Sequence, residues 1–128
     1  MKSDENTLRR VLIVDDEPSV RSAIQMMLKY YGYNAQAVDS GDKALALCET
    51  NRFDLVITDY MMPEMNGGEL AFRIKQRWPK QKIIMVTAFA EDFLADSEHA
   101  GLLDCVLSKP FSLAELHAAI SRVLAKQG

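Results

Sequence analysis

Val11-Leu12-Ile13-Val14 runs straight into Asp15-Asp16, and Leu55-Val56-Ile57-Thr58 runs straight into Asp59. Unbroken apolar runs of this length suit strands covered on both faces, the condition of a parallel sheet flanked by helices. A third run, Ile83 to Val86, ends in Thr87, and a fourth, Val106-Leu107, leads into Ser108-Lys109-Pro110. The strand ends therefore present acid, acid, hydroxyl and amine in that order.

Amphipathic stretches fill the intervals. Strands are predicted at 10–14, 34–38, 53–58, 82–86 and 105–107. Pro18 is well placed to begin a helix, with Val20, Ile24, Met27, Leu28 and Tyr31 on one stripe and Gly32 as its stop. Ser40 can cap a helix with 43–50 as its body and Ala44, Leu45 and Cys48 facing inward. After the turn-rich segment 61–68, a helix over 69–78 carries Leu70, Ile74 and Trp78. A weaker helix over 91–100 has a narrow stripe at Phe93 and Leu94. Ser112, with Glu115 in the capping-box position, opens a last helix. Five strand–helix units in succession predict an α/β domain, a doubly wound five-stranded parallel sheet with five helices in three layers.

The chain has 128 residues, enough for one domain with its own core. A hydrophobic content of 48% and a charged content of 26% are ordinary for a globular protein. A net charge of −3 supplies no electrostatic reason to bind nucleic acid. There is no apolar run of membrane-spanning length and no signal-peptide core near the start, so a cytoplasmic protein is expected. Cys48 and Cys105 lack metal-site spacing and read as buried free thiols. Residues 1–9 read as a polar tail, 10–125 as the domain and 126–128 as an end.

In an open α/β sheet, ligands sit beyond the carboxyl ends of the strands. Asp15, Asp16, Asp59, Thr87 and Lys109 all fall on that edge, and the strand order 2-1-3-4-5 makes Asp16 and Asp59 neighbours. Like charges about 4 Å apart cost roughly 4 kcal/mol at an effective dielectric near 20, a heavy load on a domain with ~5–15 kcal/mol of stability. A divalent cation reverses that sign, and an all-oxygen donor set favours Mg²⁺ or Mn²⁺ over zinc. Asp59 can then serve as a nucleophile on phosphorus, with the Lys109 ammonium and the Thr87 hydroxyl stabilising the transferring group. Taken singly, an Asp at a strand end is ordinarily a cap or turn residue, and a Lys before Pro a solvated charge. Four roles at four strand ends on one edge shift the balance. Glu17 reads as a solvated residue or helix start. Asp39, Asp54, Asp92, Asp96 and Asp104 read as surface or turn residues. His99 and His117 read as partly exposed helix residues without partners.

Four segments together are similar to the receiver domain of bacterial two-component response regulators: Val11 to Pro18, Asp59 to Gly67, Val86-Thr87-Ala88, and Lys109-Pro110-Phe111. The resemblance spans roughly residues 10–125 and implies a flavodoxin-like fold. It implies that Asp59 is the phospho-acceptor. It also implies that Asp16, Asp59 and the Met61 carbonyl hold Mg²⁺, with Asp15 acting through water, and that Thr87 and Lys109 contact the phosphoryl group. Pro110 would follow a cis peptide bond, Ala88 would leave room for the phosphoryl group, and Met61 and Phe89 would occupy positions that tune its lifetime. The implied partners are a sensor histidine kinase or a histidine phosphotransfer protein, and an output domain or downstream protein. A homodimer formed on phosphorylation is open, and direct nucleic acid binding is not implied. Such a domain is a phospho-acceptor that assists its own phosphotransfer and dephosphorylation rather than an enzyme. Its switch pairs the threonine with an aromatic three residues before the lysine. Here that position is Val106, so the usual ring is missing, and the face carrying Phe93, Leu94 and Val106 is the expected output surface.

Three other readings fit less well. A haloacid-dehalogenase-type hydrolase usually has a second acid two residues past its nucleophile, where this chain has Met61. A flavodoxin-like cofactor binder needs a phosphate-cradling loop after the first strand, and Asp15-Asp16-Glu17-Pro18 would repel a phosphate. A degenerate receiver acting only as a scaffold would not need the full residue set.

Overall fold

Val11, Leu12, Ile13 and Val14 are all buried, as a strand sandwiched between two helical layers requires. In the computed structural model, described over residues 9–96 and 100–126, this run is β1 (Arg10–Val14). The other strands are β2 (Asn34–Val38), β3 (Leu55–Asp59), β4 (Ile83–Thr87) and β5 (Cys105–Ser108). All pair in parallel in the order β2-β1-β3-β4-β5. The helices are α1 (Pro18–Tyr30), α2 (Gly41–Thr50), α3 (Gly67–Arg77), α4 (Ala90–Asp96) and α5 (Leu113–Ala125), with a 3-10 turn at Ala100–Leu102.

Side chains alternate along the strands and build two cores. Val11, Ile13, Leu55, Ile57, Ile84 and Val86 pack against Ile24 and Leu28 of α1 and Leu116, Ile120 and Val123 of α5. Leu12, Val14, Val56 and Ile83 pack on the opposite face against Ala44 and Cys48 of α2 and Leu70, Ala71 and Ile74 of α3. Burial pushes the Cys48 thiol pKa up, so this sulfur is a core filler.

Local chemistry sets the helix ends. Pro18 starts α1, and Gly32, at φ +92°, takes the chain out of it. Ser40 accepts the Lys43 N–H at 3.2 Å, and Asn66 accepts the Glu69 N–H at 2.9 Å. Ser112 and Glu115 form the expected reciprocal capping box.

Several boundaries differ from the sequence expectation. β3 begins at Leu55 because the preceding residues form a corner: the Asp54 N–H donates to the Arg10 carbonyl at 2.8 Å, and the Asp54 carboxylate accepts the Arg10 N–H at 2.7 Å. Lys82 stands just outside β4, with its carbonyl accepting the Val56 N–H at 3.0 Å, while its ammonium caps C-terminal carbonyls of α5, Val123 at 3.0 Å and Lys126. Asp59, Thr87 and Ser108 are the last residues of their strands rather than the first beyond them. α4 is described as far as Asp96 and residues 97–99, including His99, lie outside the described residues; Ala100, the expected last helical residue, opens the 3-10 turn. Phe93 faces inward while Leu94 is 53% exposed, so the two do not share a face. Asp104 is half-buried, its carboxylate accepting the Ile83 N–H at 2.7 Å at the start of β4. Cys105 is half-buried rather than buried and lies 3.4 Å from Arg122 Nη2. His117 does have a partner, the Tyr31 ring stacked on it at 3.7 Å.

At the amino edge of the sheet lies a groove of about 820 Å³ bordered by Arg9, Arg52, Arg77, Lys80 and Lys82. Helices α2, α3 and α5 all end there, and cations beside helix C-termini offset the negative ends of the dipoles. Arg77 forks onto Glu49, with Nη2 2.9 Å from Oε1, and lies over the Trp78 ring. The groove is thus accounted for by the fold itself.

Candidate functional site

Register brings the predicted residues together at the opposite edge. Val14 pairs with Thr58, so the next residues, Asp15 and Asp59, leave the sheet side by side. Asp59 pairs with Val86 and Thr87 with Ser108, so Thr87 and Lys109 each stand one step further out on the neighbouring strands. Asp15, Asp59 and Thr87 are buried, Lys109 is half-buried and Asp16 is exposed. Asp15, Asp16 and Asp59 each offer an oxygen within 4.8 Å of the others.

Lys109 bridges two of these acids. Its ammonium lies 3.2 Å from Asp59 Oδ1 and 3.8 Å from Asp15 Oδ2. Asp59 Oδ1 also accepts the Tyr60 N–H at 2.9 Å. Both contacts fall on Oδ1, leaving Oδ2 unengaged among the described residues. Asp15 Oδ1 accepts the Glu17 N–H at 2.9 Å, whereas Asp15 Oδ2 is buried without any hydrogen bond. Burial is the main reason the Asp15 carboxyl pKa is raised above its usual value; the Glu17 N–H and Lys109 oppose this, while Asp59 and Asp16 reinforce it.

Three carboxylates against one ammonium leave a surplus of two negative charges. An orphaned buried carboxylate oxygen beside two further acids, with no nitrogen or sulfur donor in the group, fits a divalent oxygen-seeking cation. Met61 lies two residues past Asp59 with an exposed side chain, on the loop that follows β3. Glu17 is exposed and contributes its backbone N–H to Asp15.

Thr87 is fully buried, and its hydroxyl oxygen accepts the Phe89 N–H at 3.1 Å. The Lys109 N–H donates to the Thr87 carbonyl at 2.9 Å, and the Lys109-Pro110 bond is cis, as expected. Ala88 and Phe89 are exposed at the rim, and Val106 is half-buried on β5.

Some positioning residues were not singled out in the sequence. Arg21 Nη1 donates to the Asp15 carbonyl at 2.9 Å and so ties the first turn of α1 to the acidic corner. The Gly67 N–H donates to the Tyr60 carbonyl at 2.9 Å, and a Cβ at Gly67 would stand 2.3 Å from the Asp59 carbonyl oxygen. Backbone occupies the space a side chain needs. The only sequence signal was the run of small residues Asn66-Gly67-Gly68. Gly67→Ala is therefore expected to push the Asp59 main chain aside, lowering stability by about 1–3 kcal/mol. Urea unfolding checks this, and an alanine variant with native stability would contradict the packing.

The family model described as the response regulator receiver domain matches residues 11–121. The chain belongs to this family. The receiver domain is 35% identical to the response regulator receiver protein CpdR of Brucella abortus over 117 residues, covering 91% of this chain and 98% of that one. It is 33% identical to the alkaline phosphatase synthesis transcriptional regulatory protein PhoP of Bacillus subtilis, covering 91% of this chain and 48% of that one. The chain thus spans about half the length of curated relatives such as PhoP. Among solved structures, the response regulator TrrA of Thermotoga maritima in complex with Mg²⁺ and BeF superposes with a TM-score of 0.85 at 31% identity, covering 91% of this chain and 99% of that one. The receiver domain of a Pseudomonas aeruginosa sensor histidine kinase, with magnesium coordinated in its active site cleft, has a TM-score of 0.85 at 28% identity, covering 94% of this chain and 100% of that one. Among the described residues of the receiver domain, no helix is long and apolar enough to cross a membrane.

Proposed function

We propose that this receiver domain is a phosphorylation-dependent signalling module of a two-component phosphorelay, with Asp59 as the acceptor. The donor is a phosphohistidine on a sensor kinase or a histidine phosphotransfer protein, in the cytoplasm where ATP supplies the phosphoryl group. The observation that carries the reading is the Lys109 ammonium seated between Asp59 and Asp15 at the ends of adjoining strands. A charge placed there meets any group added to Asp59.

Asp15, Asp16 and Asp59 would hold Mg²⁺, or Mn²⁺ in its place, with the Met61 carbonyl completing the protein's donor set. When bound, the ion supplies positive charge for phosphoryl oxygens. Asp59 Oδ2, the oxygen left unengaged by Lys109, attacks phosphorus. The new O–P bond forms as the donor's N–P bond breaks, and the electron pair leaves with the histidine nitrogen. Lys109 shifts from Asp59 Oδ1 toward a phosphoryl oxygen and offsets its charge. The Thr87 hydroxyl can donate its proton to a second phosphoryl oxygen. Asp59 is consumed stoichiometrically, so the domain is an acceptor and not an enzyme with turnover. The modification adds about −1.5 to −2 of charge at the site, and this shifts the population read by an output domain or downstream protein.

Incubation with acetyl phosphate and Mg²⁺ is expected to label one site per chain, mapped to Asp59. Label at another residue, or no label, would overturn the assignment. Release of phosphate from monoesters far beyond one equivalent per chain would make the protein a hydrolase instead.

A further inference from the structure

The receiver domain lacks a ring at Val106, yet a different pair of rings joins the phospho-acceptor strand to α4. Tyr60, directly after Asp59, packs against Phe93 with ring centroids 5.1 Å apart and planes tilted at 58°. The Tyr60 N–H lies within hydrogen-bond distance of Asp59 Oδ1, at 2.9 Å, and of the Val86 carbonyl, at 3.2 Å. The residue that carries the ring is therefore held by the very carboxylate that reacts.

A second route from the site ends at the same place. The Thr87 hydroxyl accepts the Phe89 N–H at 3.1 Å, and the Phe89 carbonyl accepts the Phe93 N–H at 2.9 Å. α4 has little else to hold it. Of its side chains that are described, Ala90 and Phe93 are buried, while Glu91 and Leu94 are exposed. Phe93 is the one large apolar anchor among them, and its aromatic partner is Tyr60. Val106, paired with Met85 in the ladder, supplies only a short branched side chain.

We propose that the Tyr60–Phe93 ring pair is the link through which phosphorylation of Asp59 repositions α4, taking the part that an aromatic at 106 would otherwise play. This rests on Asp59 being the acceptor. A phosphoryl group on Asp59 Oδ2 draws Lys109 away from Oδ1 and removes the carboxylate charge that the Tyr60 N–H donates to, which moves the Tyr60 backbone and its ring. The Thr87 hydroxyl, drawn to the same group, releases the Phe89 N–H and loosens the first turn of α4. Both changes converge on Phe93, so a small displacement at the site becomes a shift of the whole short helix.

The test is an amide NMR titration with Mg²⁺ and beryllofluoride. In the wild type, amides at the site (Ala88, Lys109) and along α4 (Ala90, Glu91, Phe93) are expected to shift together. In Phe93→Leu the site amides should still shift and the α4 amides should lose their response. Tyr60→Leu should remove the α4 response as well, the double variant should lose no more than either single one, and Tyr60→Phe, which keeps the ring, should restore it. Val106→Ala should leave the α4 response in place. An α4 that responds as in the wild type when Phe93 or Tyr60 has lost its ring, while the site amides shift, overturns the link and leaves the acceptor reading standing. If the wild-type site amides do not shift at all, the acceptor reading fails and the link fails with it.

Discussion

Asp59→Asn is expected to fold and to lose every response to a phosphoryl mimic. A ligand held at about 100 times its Kd stabilises the form it binds by about 2.7 kcal/mol. For a domain of this size that raises Tm by on the order of 10 °C. Wild-type protein heated with Mg²⁺ and beryllofluoride should show such a rise, and Asp59→Asn should show none. The asparagine can still accept the Tyr60 N–H now made to Oδ1, so the loss would report the missing nucleophilic oxygen and charge rather than a broken loop. A calorimetric shift of wild-type size in the variant would rule out Asp59 as the acceptor.

Asp15→Asn is expected to stabilise the metal-free protein at neutral pH. Asp15 is 1% exposed, and its Oδ2 has no hydrogen bond. Burial, above all, raises its pKa above the usual 3.8, with Asp59 and Asp16 adding to the effect against the Glu17 N–H and Lys109. A raised folded-state value means that the folded protein binds the proton more tightly than the unfolded chain. The charged carboxylate therefore costs stability at pH 7, and the cost is released as pH falls through the raised value toward 3.8. Removing the charge should raise stability at pH 7 without divalent ions, seen as a higher Tm. The advantage over the wild type should shrink as the pH is lowered and vanish below about pH 4. Added Mg²⁺ should stabilise the wild type more than the variant. A less stable variant at pH 7 in chelator would show that Lys109 and the Glu17 N–H more than offset the burial.

Much of this was legible in the chain because the chemistry sits where strands end. Apolar runs mark strands through composition alone, and in a parallel sheet of this order their last residues meet on one edge. The sequence alone thus groups Asp15, Asp16, Asp59, Thr87 and Lys109. Strand limits differ by a residue or two where long-range partners bear on them, as with Asp54 bonded to Arg10. Gly67 was visible only as a turn former, because its close approach to the Asp59 carbonyl is a backbone contact between the end of β3 and the start of α3. Tyr60 and Phe93 lie 33 positions apart, and no periodicity couples them. The stacking of His117 on Tyr31 was hidden for the same reason.

The burial of the sheet is uneven. Every residue of β3 and β4 is buried, whereas β5 is half-buried along its length and ends exposed. α4, beside it, spans seven residues. Both edge strands, β2 and β5, are less buried than the middle of the sheet, and only β5 adjoins the strand that ends in Thr87. Strain introduced at the acidic corner meets close packing in the centre and less resistance at that edge, so a reader of the signal would be best placed against it.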